Sequence, residues 1–590
     1  MEQYMSIKNE CFIPIEQFRP ILQQKYGLDV ESAWIDELCR IFMLAEIKQG
    51  ANRYLFDADI EVCRKLAVLK EGFSACETES YDYYGSTTAN MLKIADDTIL
   101  LYEYCNERKA LPVFVRNIVL GLCCKTGGEC SSRIFDVLGV TILTKNRSVC
   151  DYIESVISRK EKLEYIKSSS FANTSSFMGS KKKILGFIAE SIIAHGNDES
   201  KYLDIMCGSG AVSNAFAQIG PVYASDAQSF CRILAKMQGS GYQESLAASL
   251  TESIYQNYKQ HMEAMRQKFA EFLWEEERIF YLDLKEKETV LKQYSDFIKS
   301  FELYSSDCVN SEELKILIKE RKQDHRLTPY CLFTYYFSNV YFGLAQSIQI
   351  DSIRYAIDQI EDEETREWAL GALVVTVSSV GTTYSAHFAQ PRHLDQRSLK
   401  YILEKREKSV WHEFSKRFTA IAKDSERYRY PVTLLDGPWE KALREMKGLF
   451  DRNVIVYLDA PYKREEYSRY YHVLETLVKY DYPESEKKGR MRSKKNGERF
   501  STEFSTRNTE KVEECFENII LEVLRKGYIC AWSYSDNGCA SIMKVVNRIK
   551  KQCDCDVFFY STAHYHNSQG KNAMKIPVVE YCILFRGTIV

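Results

Sequence analysis

The stretch VYLDAPYKREEY, residues 456–467, leaves an acid and an aromatic ring at the end of an apolar run. The run Val454–Leu458 predicts a buried strand, and Asp459-Ala460-Pro461-Tyr462 follows it directly. Proline cannot extend a central strand, so the chain must turn at this point. A carboxylate, a stiff proline and a flat ring are thereby held together at the carboxyl end of a strand, where they could act jointly on a bound substrate.

A second group of candidate residues forms a glycine turn. Asp204-Ile205-Met206-Cys207-Gly208-Ser209-Gly210 reads as a strand that runs into a GxG turn, and glycine lets a backbone approach a ligand closely. Asp226 follows Gly210 by 16 residues and ends the next strand, where an acid can bind ribose hydroxyls. The turn lacks the GKS/T of a phosphate-binding loop. The combination suits a nucleoside cofactor without a pyrophosphate, and a plain tight turn is the alternative.

Upstream, Phe177-Met178-Gly179-Ser180-Lys181 comes just before a predicted helix. One reading is a helix start that Ser180 caps. However, a lysine in the first turn opposes the helix dipole. Its unfavourable position indicates a ligand that carries a carboxylate.

A basic stretch lies shortly after the Asp-Ala-Pro-Tyr turn. Residues 484–499, ESEKKGRMRSKKNGER, hold seven Lys or Arg against three Glu, in a chain whose net charge is −3. A solvated loop is one explanation, but the position close to the turn favours contact with DNA phosphates. The candidate DNA-binding residues are Lys487, Lys488, Arg490, Arg492, Lys494 and Lys495.

The length and composition of the chain are those of a globular protein of about three or four domains. The chain has 590 residues, 45% of them hydrophobic and 27% charged. No apolar run is long enough to span a bilayer, and the first residues lack a signal peptide, so we expect no membrane association and a cytoplasmic location. The 19 cysteines are expected to be reduced, and their spacing predicts no metal site.

The elements that position these residues form an α/β pattern in two parts. The first part is a predicted helix over Lys181–His195 and a strand, a helix and a strand over Tyr202–Met206, Ala211–Gln218 and Val222–Ala224. The later predicted strands are Val432–Leu435, Val454–Leu458, Tyr528–Trp532, Val557–Tyr560 and Val578–Phe585. About seven strands with interleaved helices, closing on two β-rich runs, predict one doubly wound sheet.

Two further regions are expected. Residues 231–430 look mostly helical and interrupt the sheet as an inserted domain. Residues 1–165 are predicted to be mainly helical, with helices over Ile15–Tyr26 and Ser32–Ile47 and a short wing strand over Arg53–Phe56.

A possible DNA-binding motif lies later in that first region. Ser131–Leu138, Gly139 and Asn146–Val156 have the outline of a helix-turn-helix, although Phe135 stands where such turns usually have alanine. Contact with DNA and a scaffold or partner-binding role both remain open for residues 1–165.

The order of these motifs resembles a known family. Phe-x-Gly-Ser-Lys, Asp-x-x-x-Gly-Ser-Gly, an acid after the second strand, a long insert and Asp-x-Pro-Tyr are similar to the Dam-like (alpha-group) DNA adenine methyltransferases, over residues 171–590. The resemblance implies a Rossmann-like class I methyltransferase sheet in two parts, 171–230 and 431–590. It also implies that 231–430 is a target recognition domain and that S-adenosylmethionine is the cofactor.

The resemblance further implies roles for single residues. Trp532-Ser533-Tyr534-Ser535 is similar to a later motif of the family that helps wall the base pocket. The implied cofactor-binding residues are Phe177, Gly179 and Lys181 at the methionine end, Asp204, Cys207, Gly208 and Gly210 at the centre, Asp226 at the ribose and Asp436 at the adenine.

The same resemblance gives the Asp-Ala-Pro-Tyr turn a catalytic role. Asp459 and the carbonyl of Ala460 would accept the two amino hydrogens of adenine, so that its lone pair points at the methyl group. Pro461 would fix the turn, and Tyr462 would stack on a base flipped out of the duplex. The family usually has Asp-Pro-Pro-Tyr, and Ala460 replaces the first of these prolines. We expect lower rigidity and retained chemistry, because alanine also has a carbonyl.

The expected function is S-adenosylmethionine-dependent methylation of adenine in a specific double-stranded DNA sequence. A restriction-modification or phage-defence system is the expected setting, with a cognate restriction endonuclease or defence-system proteins as partners. An RNA or protein-glutamine methyltransferase and a non-catalytic DNA-binding protein with the same fold are the alternatives.

Overall fold

The computed structural model describes most of the chain from residue 181 onwards and parts of the region before it. The described residues are 11–27, 29, 47–49, 52–57, 89–95, 97–103, 114, 117–118, 128–137, 140–160, 181–301, 312–384, 387–426, 429–446, 453–462, 467–486, 489–494, 499, 502–567 and 575–587.

The first described elements form a small antiparallel sheet. They are β1 (Phe12–Pro14), α1 (Ile15–Tyr26), β2 (Ile47–Gln49) and β3 (Asn52–Phe56). The strand order is β1-β3-β2. Helix α1 confirms the prediction over Ile15–Tyr26, and β3 confirms the predicted wing strand. The helix predicted over Ser32–Ile47 lies outside the described residues, apart from Ile47, which begins β2.

A second antiparallel sheet follows. Its strands are β4 (Ala89–Ala95), β5 (Thr98–Glu103), β6 (Glu129–Val137) and β7 (Val140–Asn146), in the order β4-β5-β7-β6. Helix α2 (Arg147–Lys160) comes next and confirms the helix predicted over Asn146–Val156.

The helix predicted over Ser131–Leu138 is wrong, and with it the helix-turn-helix. Residues 131–137 belong to β6, where Phe135 and Val137 pair with Ile142 and Val140 of β7. Phe135 and Val137 are buried while Asp136 between them is exposed, which is the two-residue alternation of a strand. The prediction that residues 1–165 are mainly helical is also wrong for the described part, which contains seven strands and two long helices.

The central sheet has seven strands. They are β8 (Lys201–Asp204), β9 (Val222–Ala224), β10 (Val432–Leu434), β11 (Val454–Leu458), β12 (Ile529–Ser535), β13 (Cys555–Asn567) and β14 (Lys575–Gly587). Their order is β10-β9-β8-β11-β12-β14-β13, and β14 runs in the direction opposite to the other six strands. The chain leaves β8 in one direction and resumes at β11 on the other side, so the strand order reverses between β8 and β11. This confirms the doubly wound α/β sheet.

Helices connect and cover the strands. A 3₁₀ turn, Lys181–Ile184, leads into α3 (Leu185–Ile193), and α4 (Ala211–Phe216) and α5 (Ser229–Lys236) flank β9. The long stretch before β10 is helical, as predicted: α6 (Glu244–Lys268), α7 (Ala270–Phe280), α8 (Lys287–Ser300), α9 (Glu312–Gln323), α10 (Leu332–Tyr336), α11 (Leu344–Asp358), α12 (Glu363–Val380), α13 (Leu399–Arg406) and α14 (Val410–Ser425). The later helices are α15 (Trp439–Glu445), α16 (Tyr467–Tyr470), α17 (His472–Lys479), α18 (Thr509–Arg525) and α19 (Ile542–Gln552), with a 3₁₀ turn at Glu503–Ser505.

The two faces of the sheet bury two hydrophobic cores. Alternate residues of β11 point to opposite faces, so Tyr457 joins one core and Val456 the other. The first core continues into the helices of residues 231–430 through side chains such as Trp368, and the second includes α18, α19 and Phe12 of β1. The helical insert is therefore packed onto one face of the sheet and shares its core. Among the described residues, no helix combines the length and the apolar character needed to cross a membrane.

Candidate active site

Four acids lie where parallel strands end. Asp204 is the last residue of β8, Asp459 follows β11 directly, and Asp226 and Asp436 each come two residues after their strands, β9 and β10. Carboxyl ends of parallel strands share one edge of a sheet, and ligands bind there at the point where the strand order reverses. The fold therefore brings the predicted glycine turn and the Asp-Ala-Pro-Tyr turn to neighbouring strand ends.

The glycine turn requires its glycines for two reasons. Gly208 and Gly210 have φ angles of 51° and 73°, in the left-handed region. A Cβ on Gly210 would also lie 2.6 Å from the Cα of Ala235 in α5. The amide of Cys207 donates to the carbonyl of Ser225, 3.0 Å away, which ties the turn to the end of β9. For Gly210, the close neighbour is a helix backbone, so helix packing by itself accounts for this glycine.

Asp226 holds the glycine turn through its carboxylate. Its Oδ2 accepts a hydrogen bond from the amide of Gly208 at 3.1 Å, and its Oδ1 accepts one from the amide of Gln228 at 2.9 Å. Burial raises the pKa of Asp226 to about 6, although both hydrogen bonds favour the ionised form. Asp226 thus stands beside the turn, as the ribose-binding prediction requires.

Asp204 is buried and only partly satisfied. Its Oδ2 accepts a hydrogen bond from the hydroxyl of Ser213 at 2.7 Å. Its Oδ1 is buried and forms no well-aligned hydrogen bond among the described residues, although the nearby amide of Met206 favours the ionised carboxylate. Burial raises the pKa of Asp204 to about 7, and the nearby charges of Asp459 and Asp226 raise it further. A buried carboxylate oxygen without a well-aligned donor is costly, so this position suits a cationic or hydrogen-bond-donating ligand.

Lys181 is paired with the catalytic candidate Asp459. Its Nζ lies 2.9 Å from Oδ1 of Asp459, and the two side chains are only 7% and 16% exposed. The same Nζ lies 4.1 Å from the ring centroid of Tyr462. Burial raises the pKa of Asp459 to about 6, against the attraction of the Lys181 ammonium. Lys181, a predicted cofactor-binding residue, thus lies at the Asp-Ala-Pro-Tyr turn.

Tyr462 is held by strands β12 and β14. Its hydroxyl donates to Oε2 of Glu580 at 2.9 Å and lies 3.3 Å from Oγ of Ser533. Its ring packs edge-on against Tyr534, with 5.1 Å between the centroids, and its carbonyl accepts a hydrogen bond from the amide of Cys539 at 3.0 Å. Ser533 and Tyr534 belong to the predicted Ser-Tyr motif, which the fold places beside the turn.

Sequence reasoning missed Glu580, although the sequence contains a signal for it. Glu580 is a single acid within the apolar run VVEYCILF, residues 578–585, and it is buried in β14. An acid in a buried strand needs a polar partner. The sequence does not say which partner that is, because Tyr462 precedes Glu580 by 118 residues.

The other predicted site residues have mixed placements. Ala460 is buried in the second of the two hydrophobic cores. Asp436 is 71% exposed and pairs with Lys441 at 3.3 Å and Arg232 at 3.6 Å. Its predicted role at the adenine of a cofactor stays a prediction. Phe177 and Gly179 lie outside the described residues.

The basic stretch contains buried arginines, which the sequence alone does not predict. Arg490 and Arg492 are 7% and 6% exposed, and Arg492 makes two hydrogen bonds to Asp481, of 2.8 and 2.5 Å. This burial does not fit the phosphate contacts predicted for the two arginines, because both guanidinium groups are packed inside the protein. Lys494 is exposed. Lys487, Lys488 and Lys495 lie outside the described residues.

A comparison with protein families identifies the domain that carries this site. Residues 177–311 and 442–529 match the model of the D12 class N6 adenine-specific DNA methyltransferases, roughly two fifths of the chain. These two segments are similar to that family. The match confirms the resemblance to Dam-like adenine methyltransferases and supports an adenine-specific DNA methyltransferase enzyme. No curated protein matches the sequence.

The matched segments contain most of the candidate site. The first begins at Phe177 and includes Lys181, Asp204 and Asp226, and the second includes Asp459 and Tyr462. The first also covers α6 to α8, so the unmatched stretch inside the methyltransferase region is 312–441, shorter than the predicted insert of 231–430. Ser533 and Glu580 lie beyond the second segment.

Proposed function

We propose that this protein transfers a methyl group from S-adenosylmethionine to the exocyclic amino group of adenine in a specific duplex DNA sequence. The observation that carries the proposal is the group of Asp459, Tyr462 and Lys181 at the point where the strand order reverses, within segments that are similar to an adenine methyltransferase family. The neighbouring glycine turn supplies the adjacent place for a nucleoside cofactor.

The charges at the strand ends support this cofactor. Asp204 and Asp226 are held near the glycine turn with raised pKa values, and the buried Oδ1 of Asp204 lacks a well-aligned donor among the described residues. S-adenosylmethionine carries a sulfonium and an ammonium group, and either cation would stabilise ionised carboxylates at this place. When bound, the cofactor supplies an electrophilic methyl group. The residues that would hold it are Asp204, Cys207, Gly208 and Gly210, with Asp226 at the ribose.

Asp459 activates the adenine in this proposal. The lone pair of the amino group is delocalised into the ring, and it becomes available when Asp459 and the carbonyl of Ala460 accept the two amino hydrogens. The ionised form of Asp459 is the stronger acceptor of such a hydrogen bond. Lys181 favours the ionised form, because its ammonium lies 2.9 Å from the carboxylate.

Lys181 also occupies the position beside Asp459 that the adenine amino group would take as a hydrogen-bond donor. Its ammonium directs an N–H at Oδ1 of Asp459 and covers the face of Tyr462. A base stacked on that face would meet the lysine, so the ammonium must move aside or share the carboxylate when adenine enters. Lys181 therefore keeps Asp459 charged before the base arrives.

Tyr462 would hold the extruded base by stacking. Base–aromatic stacking contributes about 1–3 kcal/mol per base, which is similar to the few kcal/mol lost when a base leaves the duplex. We assign the reading of the DNA sequence to residues 231–430 and phosphate contact to the exposed Lys494, with Lys487, Lys488 and Lys495 next to it in the chain. A restriction-modification or phage-defence system remains the proposed setting.

The test is transfer of labelled methyl groups to duplex DNA, followed by digestion to nucleosides. We expect label on N6 of adenine with the wild type and none with Asp459→Ala, while Asp459→Ala binds S-adenosylmethionine nearly as well as the wild type. Glu514→Ala is the control, because this exposed acid of α18 is not among the site residues. Label on cytosine, on RNA alone or on protein, or full activity of Asp459→Ala, would refute the proposal.

A further inference from the structure

Glu580 is a buried acid that lies outside the segments matching the adenine methyltransferase family. It is 1% exposed, and its neighbours in β14 include the buried residues Val578 and Tyr581. Burying a carboxylate is unfavourable unless hydrogen bonds satisfy it. The hydroxyl of Tyr462 donates one such bond to Oε2, at 2.9 Å. A catalytic-turn side chain and a buried acid of the last strand are thus directly joined.

The sheet register explains how a residue of β14 reaches this turn. Glu580 is paired with Ser535 at the end of β12, and β14 runs antiparallel to β12. The first half of β14 therefore lies beside the carboxyl ends of the parallel strands, where the active-site side chains converge. Ser533 of β12 lies 3.3 Å from the same tyrosine hydroxyl. The polar end of the Tyr462 ring is consequently held between two strands.

The remaining contacts of the ring do not fix its polar end. Tyr534 packs edge-on against the ring at 5.1 Å, the Nζ of Lys181 lies 4.1 Å from its centroid, and the amide of Cys539 holds the backbone. The hydroxyl contacts to Glu580 and Ser533, together with the interaction between the hydroxyl and Asp459, set the tilt of the ring plane. A hydrogen bond to a charged acceptor is stronger than one to a neutral hydroxyl, so the bond to Glu580 dominates.

We infer that Glu580 is a positioning residue for methyl transfer: its carboxylate holds the Tyr462 ring in the orientation that stacks on the extruded adenine. The inference rests on the proposed function, since it assigns to Glu580 a role in base holding. Glu580 itself does not touch the reacting atoms in this assignment. It acts through Tyr462, from a strand that the family match does not cover.

The experiment compares steady-state kinetics of Glu580→Ala, Glu580→Gln and Tyr462→Phe on duplex DNA. Glu580→Ala should lower kcat/KM by about 10-fold to 100-fold, the range for one hydrogen bond to a charged group. Glu580→Gln should restore most of the loss, because its carbonyl oxygen still accepts the hydroxyl. An oligonucleotide whose target adenine is opposite an abasic site should partly rescue Glu580→Ala, because that base is already unpaired. A merely structural role of Glu580 would give neither rescue.

A double variant tests the connection. Glu580→Ala with Tyr462→Phe should be no worse than the more damaging single change, since both remove the same hydrogen bond. Thermal unfolding of each variant separates misfolding from mispositioning. Multiplied effects in the double variant, or wild-type kinetics of Glu580→Ala, would overturn the inference while the proposed function stands.

A second measurement does not depend on turnover. In protein labelled with carbon-13 at the tyrosine ζ position, the resonance missing from Tyr462→Phe identifies Tyr462. Glu580→Gln should move that resonance, and Glu271→Gln, an exposed change on α7, should not. An unmoved resonance means that the hydrogen bond is absent and refutes the inference. A wild type without any methyl transfer refutes the proposed function, and this resonance then decides whether Glu580 positions the tyrosine.

Discussion

Binding of S-adenosylmethionine should release protons from the acids at the strand ends. Burial raises the pKa of Asp204 to about 7 and those of Asp226 and Asp459 to about 6. Lys181 opposes this rise at Asp459, while Glu580 adds to it. A cation bound between these groups favours their ionised forms, so carboxyl groups that still carry a proton lose it on binding.

The size of the effect follows from these pKa values. At pH 6.5, Asp204 retains about three quarters of a proton and Asp226 and Asp459 about one quarter each, so complete ionisation releases roughly 1.2 protons. At pH 8, the same groups together retain only about 0.1 proton. The apparent affinity for the cofactor should therefore rise between these two pH values and level off above them.

Isothermal titration calorimetry measures the released protons directly. The binding heat at pH 6.5 is compared in buffers of low and high ionisation enthalpy, and the slope gives the number of protons. S-adenosylhomocysteine has a neutral sulfur and should release fewer. Asp204→Asn should remove the largest share, whereas Glu514→Gln, which changes an exposed acid of α18 outside the site, should leave the number unchanged. Equal release at pH 6.5 and pH 8, or equal release by the two ligands, would refute this reasoning.

Four further predictions use the same contacts. Lys181→Met removes the cation beside Asp459 and should lower stability by about 3–5 kcal/mol, because it breaks a buried ion pair. It should also shift the acid limb of the kcat–pH profile to higher pH, because Asp459 then keeps its proton more tightly. An acid limb at the wild-type pH would contradict this. Asp204 alone should make the ligand-free protein lose up to roughly 4 kcal/mol of stability as the pH rises from 4 to 7, because its folded form, with a pKa near 7, holds a proton that the unfolded chain releases near pH 4. Asp204→Asn should flatten that slope in urea unfolding, and an equal slope in both proteins would count against it. Arg492→Ala should lower stability by about 1–2 kcal/mol, a figure discounted because Asp481 is partly exposed, and should leave the salt dependence of DNA binding unchanged. Lys494→Ala should lower the salt slope of DNA binding by about one and leave stability unchanged. The reverse outcome would make Arg492 the phosphate contact and Lys494 the structural residue. Ala460→Pro keeps the backbone carbonyl, so turnover should stay within a few-fold of the wild type, and loss of activity would show that the turn needs alanine.

The parts of the fold that the sequence predicts well are those with strong local signals. β11 is a run of five apolar residues that ends before a proline, and the structure has the strand with the predicted bounds, Val454–Leu458. β9 is likewise confirmed over Val222–Ala224. The glycine turn can be predicted from the sequence because its residues are adjacent in the chain and because glycine often marks left-handed backbone. Local rules therefore sufficed for the elements that carry Asp204, Asp226 and Asp459.

Local sequence patterns do not predict the structure correctly where contacts between distant parts of the chain determine it. Residues 131–138 fit a short helix as well as a strand, and pairing with β7 determines the outcome. A cluster of positive charges likewise does not reveal that Arg492 is paired with Asp481, eleven residues away, inside the protein. Glu580 is the clearest case among the site residues, because its importance depends on the antiparallel register of β14. In each case the missing information is which chain segments meet.

The helical stretch between the matched segments is part of the support of the site. The carboxylate of Asp351, in α11, accepts hydrogen bonds from the hydroxyl of Tyr480 at 2.5 Å and from the amides of Phe333 and Thr334, each at 2.8 Å. Tyr480 follows α17, and Glu475 of that helix accepts a hydrogen bond from the amide of Phe230, near the glycine turn. The hydroxyl of Thr334 is a fourth donor to Asp351, at 2.7 Å, and a buried carboxylate with four donors is costly to separate from its partners. The described residues of 312–441 therefore do not form a separate module, since they share the first hydrophobic core with the sheet and hold Tyr480 at the end of α17.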